Sequence, residues 1–185
     1  MLIYSMSVSV DGYITDRDGG IGWTVPSEEL FAFHLSRVRE IGAHLCGRRL
    51  YETMLPWETD PSLPDTPAET EFAEVWIALP KVVFSRTLDG VLGNARLATR
   101  PLAGELATVL AATDKDVEIG GAGLAAAAIG AGLVDEFRIF RVPIVVGGGT
   151  PYLPAVTADI PLDLIETRTF GSRVSYERYR RVRAD

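Results

Sequence analysis

The chain has 185 residues, 47% of them hydrophobic and 23% charged, and this composition excludes a largely disordered chain and a coiled coil. Its 18 basic and 25 acidic residues give a formal net charge of −7, which is opposite in sign to that of most nucleic-acid-binding proteins. No apolar run reaches the roughly 18 residues of a membrane-spanning helix, and the single Cys46 excludes an intramolecular disulfide and a cysteine-rich zinc site. We therefore expect one domain over residues 1–185, located in the cytoplasm, with no membrane, nucleic-acid or metal partner.

The first part of the chain alternates strand-like and helix-like patterns. β-branched residues over 3–10 predict a buried strand, and the glycines that follow predict a loop. Ser27, followed by two acids, predicts the start of a helix that Gly42 ends. Residues 43–46 predict a short strand, and the prolines between 56 and 67 predict a loop.

The second part repeats this alternation and then turns to strands. The predicted elements are a helix over 68–79, a strand over 81–84, a helix over 102–113, a strand over 116–119, a helix over 124–131, and strands over 135–146, about 160–169 and 173–182. Alternating strands and helices predict an α/β fold of three layers, with a mainly parallel sheet covered on both faces. The closing strands predict antiparallel pairing at one side of the sheet.

A glycine-rich turn joins the strand over 116–119 to the helix after it. The sequence Gly120-Gly121-Ala122-Gly123-Leu124 lets the backbone approach a ligand closely, and the N–H groups of a helix start attract a phosphate or pyrophosphate. A tight turn that needs glycine for its backbone geometry is the alternative interpretation. The run also fits the dinucleotide-binding pattern Gly-x-Gly-x-x-Ala, but acids follow too early and antiparallel strands replace the further βα units of that fold.

Two other polar segments follow apolar strands. Arg48 and Arg49 come directly after Gly47, where guanidinium groups can clamp phosphates. Ser85 and Arg86 follow the strand over 81–84. Because ligands of open α/β sheets bind beyond the carboxyl ends of the strands, one ligand with several phosphates accounts for all three segments.

The segments occur in the order typical of the dihydrofolate reductase-like superfamily, and the chain most resembles the branch that includes the reductase domain of bacterial riboflavin biosynthesis. Residues 9–14 resemble the opening strand and turn of that family, and 47–49 resemble its Gly-Arg segment for cofactor phosphates. Residues 84–86 resemble its site for the adenosine 2′-phosphate, 120–123 its pyrophosphate turn, and 143–151 the late strand-and-glycine segment of the riboflavin branch. The matches extend from residue 2 to about residue 182.

This resemblance implies an NADPH-binding reductase with a mostly parallel sheet of about eight strands and an antiparallel C-terminal hairpin. It implies that the nicotinamide lies near Met6, Val8 and Ile14, and that the protein acts on a small molecule and forms a homodimer. The cofactor-binding residues that it implies are Val8, Ile14, Gly47, Arg48, Arg49, Ser85, Arg86, Gly120, Gly121, Ala122, Gly123 and Leu124.

The substrate side is less completely matched. The segment over 23–28 resembles the Trp-x-x-Pro-x-acid segment of folate reductases and places Glu28 at the acid that aids protonation, with Glu29 there after a slip of one residue. Charge that suits a helix start is the alternative role of both acids. Trp57, in the proline-rich segment, is a candidate to line the substrate pocket. The family's arginine for the glutamate tail of folate is missing after Pro80, so folate is not the expected substrate.

We therefore predict an NADPH-dependent reductase that transfers hydride to a small conjugated or heteroaromatic substrate of a pterin- or pyrimidine-like kind. One alternative is a reductase of a 5-amino-6-ribosylaminouracil phosphate, as in riboflavin biosynthesis. The other is a nucleotide-binding protein without catalysis.

Overall fold

A computed structural model describes residues 1–183; the last two residues of the predicted domain lie outside the described residues. Eight strands form one sheet in the order β4-β3-β2-β5-β1-β6-β8-β7. The strands are β1 (Leu2–Ser9), β2 (Ile41–Gly47), β3 (Lys81–Phe84), β4 (Ala95–Leu97), β5 (Asp116–Gly120), β6 (Glu136–Val142), β7 (Leu162–Thr169) and β8 (Ser175–Arg181). The six strands from β4 to β6 in this order are parallel, and β8 is antiparallel to both of its neighbours. The predicted mostly parallel sheet with an antiparallel C-terminal hairpin is confirmed.

Helices cover both faces of the sheet. They are α1 (Glu28–Val38), α2 (Arg48–Met54), α3 (Pro56–Thr59), α4 (Pro67–Ala78), α5 (Leu102–Leu110) and α6 (Ala122–Gly130). Side chains of α1 and α4 pack with Ile3 of β1, whereas side chains of α5 and α6 pack with Tyr4. Because successive strand residues point to opposite faces, these contacts place α1 and α4 on one face and α5 and α6 on the other, which gives the predicted three layers.

Local signals explain where the main helices begin. The Ser27 hydroxyl accepts a hydrogen bond from the N–H of Leu30 at 3.4 Å and caps α1, as predicted. Thr66 and Glu69 form a reciprocal capping box at α4, and Pro67 occupies the first turn, where the missing N–H is harmless. Within residues 1–183, no helix combines the length and the apolar character that a bilayer crossing needs.

Three sequence expectations were wrong in detail. Gly42 does not end a helix: it lies inside β2, where a Cβ would collide with the Thr113 side chain. The first part of the proline-rich segment is helical, because Pro56 suits the first position of α3. The strand expected over 135–146 ends at Val142, immediately before Pro143, which lacks the N–H that a ladder requires.

Candidate active site

The three predicted phosphate-binding segments meet at one edge of the sheet. Gly47, Phe84 and Gly120 are the last residues of β2, β3 and β5, which are adjacent and parallel. Gly47 stands beside Phe84 in the register, and Cys46 stands beside Gly120. The segments that follow these strands therefore emerge side by side, as the sequence predicted.

The glycine turn after β5 brings bare backbone to this edge. Gly121 has a φ of +88°, a left-handed conformation that side chains rarely adopt, and it precedes α6. A Cβ at Gly120 would collide with Leu50 and His44, so close packing also requires glycine there. Within the part of the chain that the structure describes, no side chain caps α6, so the N–H groups of its first turn, which include Ala122 and Gly123, have neither an intrahelical nor a side-chain capping partner.

Arg48 connects α2 to the turn after β3. Its Nε donates to Glu52 Oε1 at 2.7 Å, and its Nη1 donates to Thr87 Oγ1 at 2.8 Å. The Ser85 hydroxyl accepts hydrogen bonds from the N–H groups of Thr87 and Leu88, both at 3.1 Å, which fixes this turn. The guanidinium of Arg48 is thereby held between the two predicted phosphate segments.

Two more guanidinium groups lie at this edge. Arg49 and Arg86 are exposed, and neither forms an ion pair with another described residue. They place unneutralised positive charge beside Arg48, which suits an anionic ligand.

The loop after β1 is held firmly against the late glycine-rich segment. The Asp11 carboxylate accepts hydrogen bonds from the N–H groups of Val146 and Gly147, at 3.2 and 2.7 Å. A hydrogen bond from the Ser9 side chain, together with these two backbone bonds, lowers the pKa of Asp11. Val8 and Ile14 are buried in the core beside this loop.

The two candidate acids of α1 differ in their surroundings. Glu29 accepts hydrogen bonds from the N–H of Gly171 at 2.9 Å and from Arg168 Nη2 at 3.1 Å, and these two groups hold its pKa below the ordinary value. Glu28 is exposed, and its carboxylate bonds to nothing within residues 1–183. Glu29 thus ties α1 to the C-terminal hairpin, whereas the carboxylate of Glu28 is available to a ligand.

Trp57 belongs to an aromatic cluster between α1, α3 and α4. Its ring centroid lies 4.8 Å from that of Phe72 and 6.0 Å from that of Phe31. Its indole is half-buried, so Trp57 packs against the apolar cluster and presents its remaining surface to solvent. The role of Trp57 in a substrate pocket stays a prediction.

Sequence reasoning missed a row of polar residues on the α1 face of the sheet. Ser5 and Ser7 are half-buried on β1, in the middle of the sheet. On β5, the Glu118 side chain is 16% exposed, and burial raises its pKa to about 7 while Arg138 opposes this shift. The alternation of serines at 5, 7 and 9 is a signal that could have revealed this row.

Glu118 and His44 approach each other in this row without forming an ion pair at neutral pH. His44 Nε2 lies 3.7 Å from Glu118 Oε1. Burial, aided by the charge of Lys81, lowers the pKa of His44 to about 4, so its imidazole is neutral at pH 7. At neutral pH the two side chains are therefore polar neighbours within the row, and they form no ion pair.

A separate apolar cleft of about 420 Å³ lies between the β6–β8 part of the sheet and the segment over 152–162. Its lining includes Phe137, Tyr152, Val156 and Tyr179. None of the sequence-predicted site residues lines it, so this cleft is distinct from the edge described above.

Comparison with known proteins gives a consistent result. The family model for the RibD C-terminal domain matches residues 1–176. The uncharacterized protein YyaP of Bacillus subtilis (strain 168) is 31% identical over 175 residues, which cover 94% of this chain and 90% of that protein.

Solved structures of similar fold extend over nearly the whole chain. A putative riboflavin biosynthesis protein from Shewanella sp. PV-4 has a TM-score of 0.78 at 22% identity, covering 98% of this chain and 99% of that one. The deaminase/5-amino-6-(5-phosphoribosylamino)uracil reductase of Thermotoga maritima has a TM-score of 0.68 at 13% identity, and the match covers 98% of this chain and 56% of that protein. Dihydrofolate reductase from Enterococcus faecalis, solved with NADP(H), has a TM-score of 0.63 at 16% identity, covering 98% of this chain and 96% of that one. These likenesses show the dihydrofolate reductase-like fold.

Proposed function

Because this chain belongs to the RibD C-terminal domain family, we propose that it is a reductase of the RibD and dihydrofolate reductase-like type that uses NADPH. Its substrate is a small conjugated or heteroaromatic molecule of a pterin- or pyrimidine-like kind, and not folate itself. The proposal goes beyond the family assignment in naming the cofactor and the class of substrate.

The observation that carries this proposal is the convergence of three segments at one sheet edge. The uncapped start of α6 after Gly121, the guanidinium of Arg48 and the turn at Ser85 follow three adjacent parallel strands. A dinucleotide with a pyrophosphate and a separate 2′-phosphate has anionic groups for all of them.

The residues present fit such a cofactor. The backbone of Gly120 to Leu124 would hold the pyrophosphate, because a positive φ at Gly121 and the absence of a Cβ at Gly120 keep the backbone bare. Arg48, Ser85 and Arg86 would hold the 2′-phosphate, with Gly47 and Arg49 beside them. Val8 and Ile14 would offer a buried apolar surface near the nicotinamide. NADPH, when bound there, supplies the hydride.

The protein's own part in the chemistry is to position the substrate and provide a proton. We propose Glu28 for the proton, since its exposed carboxylate has no competing bond to another described residue. Glu29 is engaged by Gly171 and Arg168, so its proposed contact with the substrate requires that it exchange one of these partners. Trp57 is proposed to line the pocket from α3.

Two other functions are distinguishable from this one. The Thermotoga maritima neighbour, a 5-amino-6-(5-phosphoribosylamino)uracil reductase by name, favours a ribosylaminouracil phosphate as the substrate, and oxidation of NADPH in the presence of that compound tests it. A nucleotide-binding protein without catalysis would bind NADPH and show no turnover with any pterin- or pyrimidine-like compound.

Thermal unfolding with NADPH, NADH and FMN tests the proposal. A ligand at 100 times its dissociation constant stabilises a protein by about 2.7 kcal/mol. For this chain length the unfolding entropy is about 0.4 kcal/mol/K, so the expected rise in Tm is about 7 °C. A rise with NADPH that clearly exceeds the rise with NADH supports the proposal, and no rise with either nicotinamide cofactor refutes it. Light scattering of the same sample tests the predicted homodimer.

A further inference from the structure

A lysine is buried at the start of β3. The side chain of Lys81 is 1% exposed, although lysine is almost never fully buried unless it is paired. Its Nζ donates hydrogen bonds to the carbonyls of Trp76 at 2.6 Å and Leu79 at 3.0 Å, and it lies 2.9 Å from Glu58 Oε1. Three oxygen atoms from two other elements and the preceding turn therefore surround the ammonium group.

The acidic partner of Lys81 belongs to the short helix α3. Glu58 is 5% exposed, and α3 has only four residues. Because so short a helix is not stable by itself, side-chain contacts must set its position. One contact is the ring of Trp57 against Phe72, and the other is the ion pair between Glu58 and Lys81. Lys81 thereby joins α3 to β3 and to the end of α4.

Helix α3 also continues from the helix that begins at the proposed cofactor edge. No loop separates α2 from α3. Arg48 is the first residue of α2, and the Tyr51 hydroxyl within α2 accepts a hydrogen bond from the N–H of Leu92 at 2.8 Å. The two helices therefore extend from the proposed phosphate site to the aromatic cluster beside α1, and the pair of Lys81 and Glu58 fixes their far end.

The surroundings of Glu58 indicate that stability alone does not explain this ion pair. Its Oε2 is buried and has no hydrogen-bond partner among residues 1–183, and a Cβ at Gly93 would collide with this oxygen. Removing two charges from water is costly, and replacing a buried ion pair with apolar side chains of similar volume is often neutral or stabilising. A defined position for α3 is the remaining contribution that the pair makes.

The side chain that depends most on the position of α3 is Trp57, which precedes Glu58. Its half-buried ring contacts Phe72 of α4 and Phe31 of α1. Phe31 lies three residues after Glu28, so the two side chains are neighbours on the surface of α1. The open part of the indole is thus close to the carboxylate that is proposed to supply the proton.

We propose that Lys81 and Glu58 are positioning residues for the substrate: their buried ion pair holds α3 so that the open part of the Trp57 indole packs against the substrate ring. This inference rests on the proposed reductase function and adds the pair that orients one wall of its pocket. Lys81 and Glu58 act through Trp57, since both of their side chains are almost fully buried.

Two variants separate position from stability. Lys81→Met leaves Glu58 buried without its counter-charge and is expected to lower Tm. Lys81→Met combined with Glu58→Met removes both charges at similar volume and is expected to bring Tm back toward the wild-type value. Both variants are expected to weaken substrate binding about tenfold, because α3 stays misplaced in each. Glu58→Gln keeps the shape of the side chain and is expected to have a smaller effect of the same sign.

Pteridine-2,4-dione serves as the substrate-ring probe, and the protein is saturated with NADP⁺, which cannot deliver hydride. Its dissociation constant is measured by titration, and Trp57 is observed by ¹⁹F NMR after incorporation of 5-fluorotryptophan, with Trp57→Phe assigning the resonance. In wild type the dione is expected to shift this resonance. In the single and the double variant the resonance is expected to be displaced before any dione is added.

Glu105→Gln is the control for a general loss of stability. Glu105 is also a buried carboxylate in an ion pair, 1% exposed and 2.6 Å from Arg96, but it lies in α5 on the opposite face of the sheet. This variant is expected to lower Tm and to keep both the Trp57 resonance and the affinity for the dione.

Several outcomes overturn the inference. They are a wild-type dione affinity or an undisplaced Trp57 resonance in the double variant, an equal loss of affinity in Glu105→Gln, and a Trp57 resonance in wild type that does not respond to the dione. Binding of NADP⁺ is measured separately by its effect on Tm, so the cofactor part of the proposed function stands in each of these cases. Failure of wild type to bind either NADP⁺ or NADPH would instead refute the proposed function itself.

Discussion

Two glycines of α6 allow a sharp test of the proposed pyrophosphate site. Gly123 and Gly130 are both exposed, and at each position no atom lies within 4 Å of an added Cβ. Gly123 is in the first turn of α6, and Gly130 is its last residue. Replacing a helical glycine with alanine stabilises a helix by about 0.5–1 kcal/mol, which for this chain length raises Tm by about 1–3 °C. Both Gly123→Ala and Gly130→Ala are therefore expected to stabilise the free protein.

The two variants are expected to differ once NADPH is added. A Cβ in the first turn leans toward the start of the helix, where the pyrophosphate is proposed to lie, so Gly123→Ala should weaken binding at least tenfold. At an NADPH concentration 100 times the wild-type dissociation constant, a tenfold loss reduces the stabilisation from about 2.7 to about 1.4 kcal/mol, and the rise in Tm from about 7 to about 4 °C. Gly130→Ala should keep the full rise. Differential scanning fluorimetry measures both, and an undiminished NADPH response in Gly123→Ala would refute the assignment of this turn.

Other substitutions test other parts of the reasoning. Arg48→Ala is expected to weaken NADPH binding about ten- to a hundredfold, because charge-assisted hydrogen bonds contribute about 1.5–3 kcal/mol, and to change NADH binding little. Calorimetric titration with both cofactors measures this. Equal losses of affinity for NADPH and NADH would contradict the 2′-phosphate role. Glu105, 1% exposed and bonded to Arg96, has its pKa lowered to about 2 from an ordinary 4.5, so its stabilising effect is complete above pH 4.5 and is lost as the pH falls toward 2. Glu105→Gln is expected to lower the free energy of unfolding by about 2 kcal/mol at pH 7 and to make stability less sensitive to acid. Urea unfolding at pH 7 and pH 3 measures both effects. A variant whose stability falls between these pH values as much as that of wild type would contradict the assigned role of Glu105. Glu28→Gln is expected to slow reduction at least a hundredfold with unchanged NADPH affinity, whereas slower turnover in Glu29→Gln alone would assign the proton to Glu29.

Much of the fold follows from local pattern. The alternation of apolar strands with amphipathic helices predicted the layers and the antiparallel end, because each element carries its own periodicity. Strand β4 was missed because its three residues, Ala95–Leu97, have no pattern of their own and are held by pairing with Lys81–Val83. Helix α3 was missed because proline indicates a loop and a first helical turn equally well.

The site was predictable where its residues follow strands and unpredictable where distant side chains meet. The glycine turn and the Gly47-Arg48 segment could be placed at one edge because parallel strands share an orientation. The bond between Arg48 and Thr87 joins residues 39 apart, and that between Glu29 and Gly171 joins residues 142 apart. The row of polar residues on the α1 face likewise needs the register of β1 against β6 before Ser7 can be placed beside Phe140.

The position of β1 has a consequence for biosynthesis. Among the strands of this sheet, the first to be synthesised is a central one, and its partners β5 and β6 begin only at Asp116 and Glu136. At 5–20 residues per second, both edges of this strand stay unpaired for about 5 to 20 seconds. Pairing over such a sequence distance also makes folding slow. The nascent chain therefore exposes a central strand before its partners exist, and removal of residues 1–10 would divide the sheet at its centre, between β5 and β6.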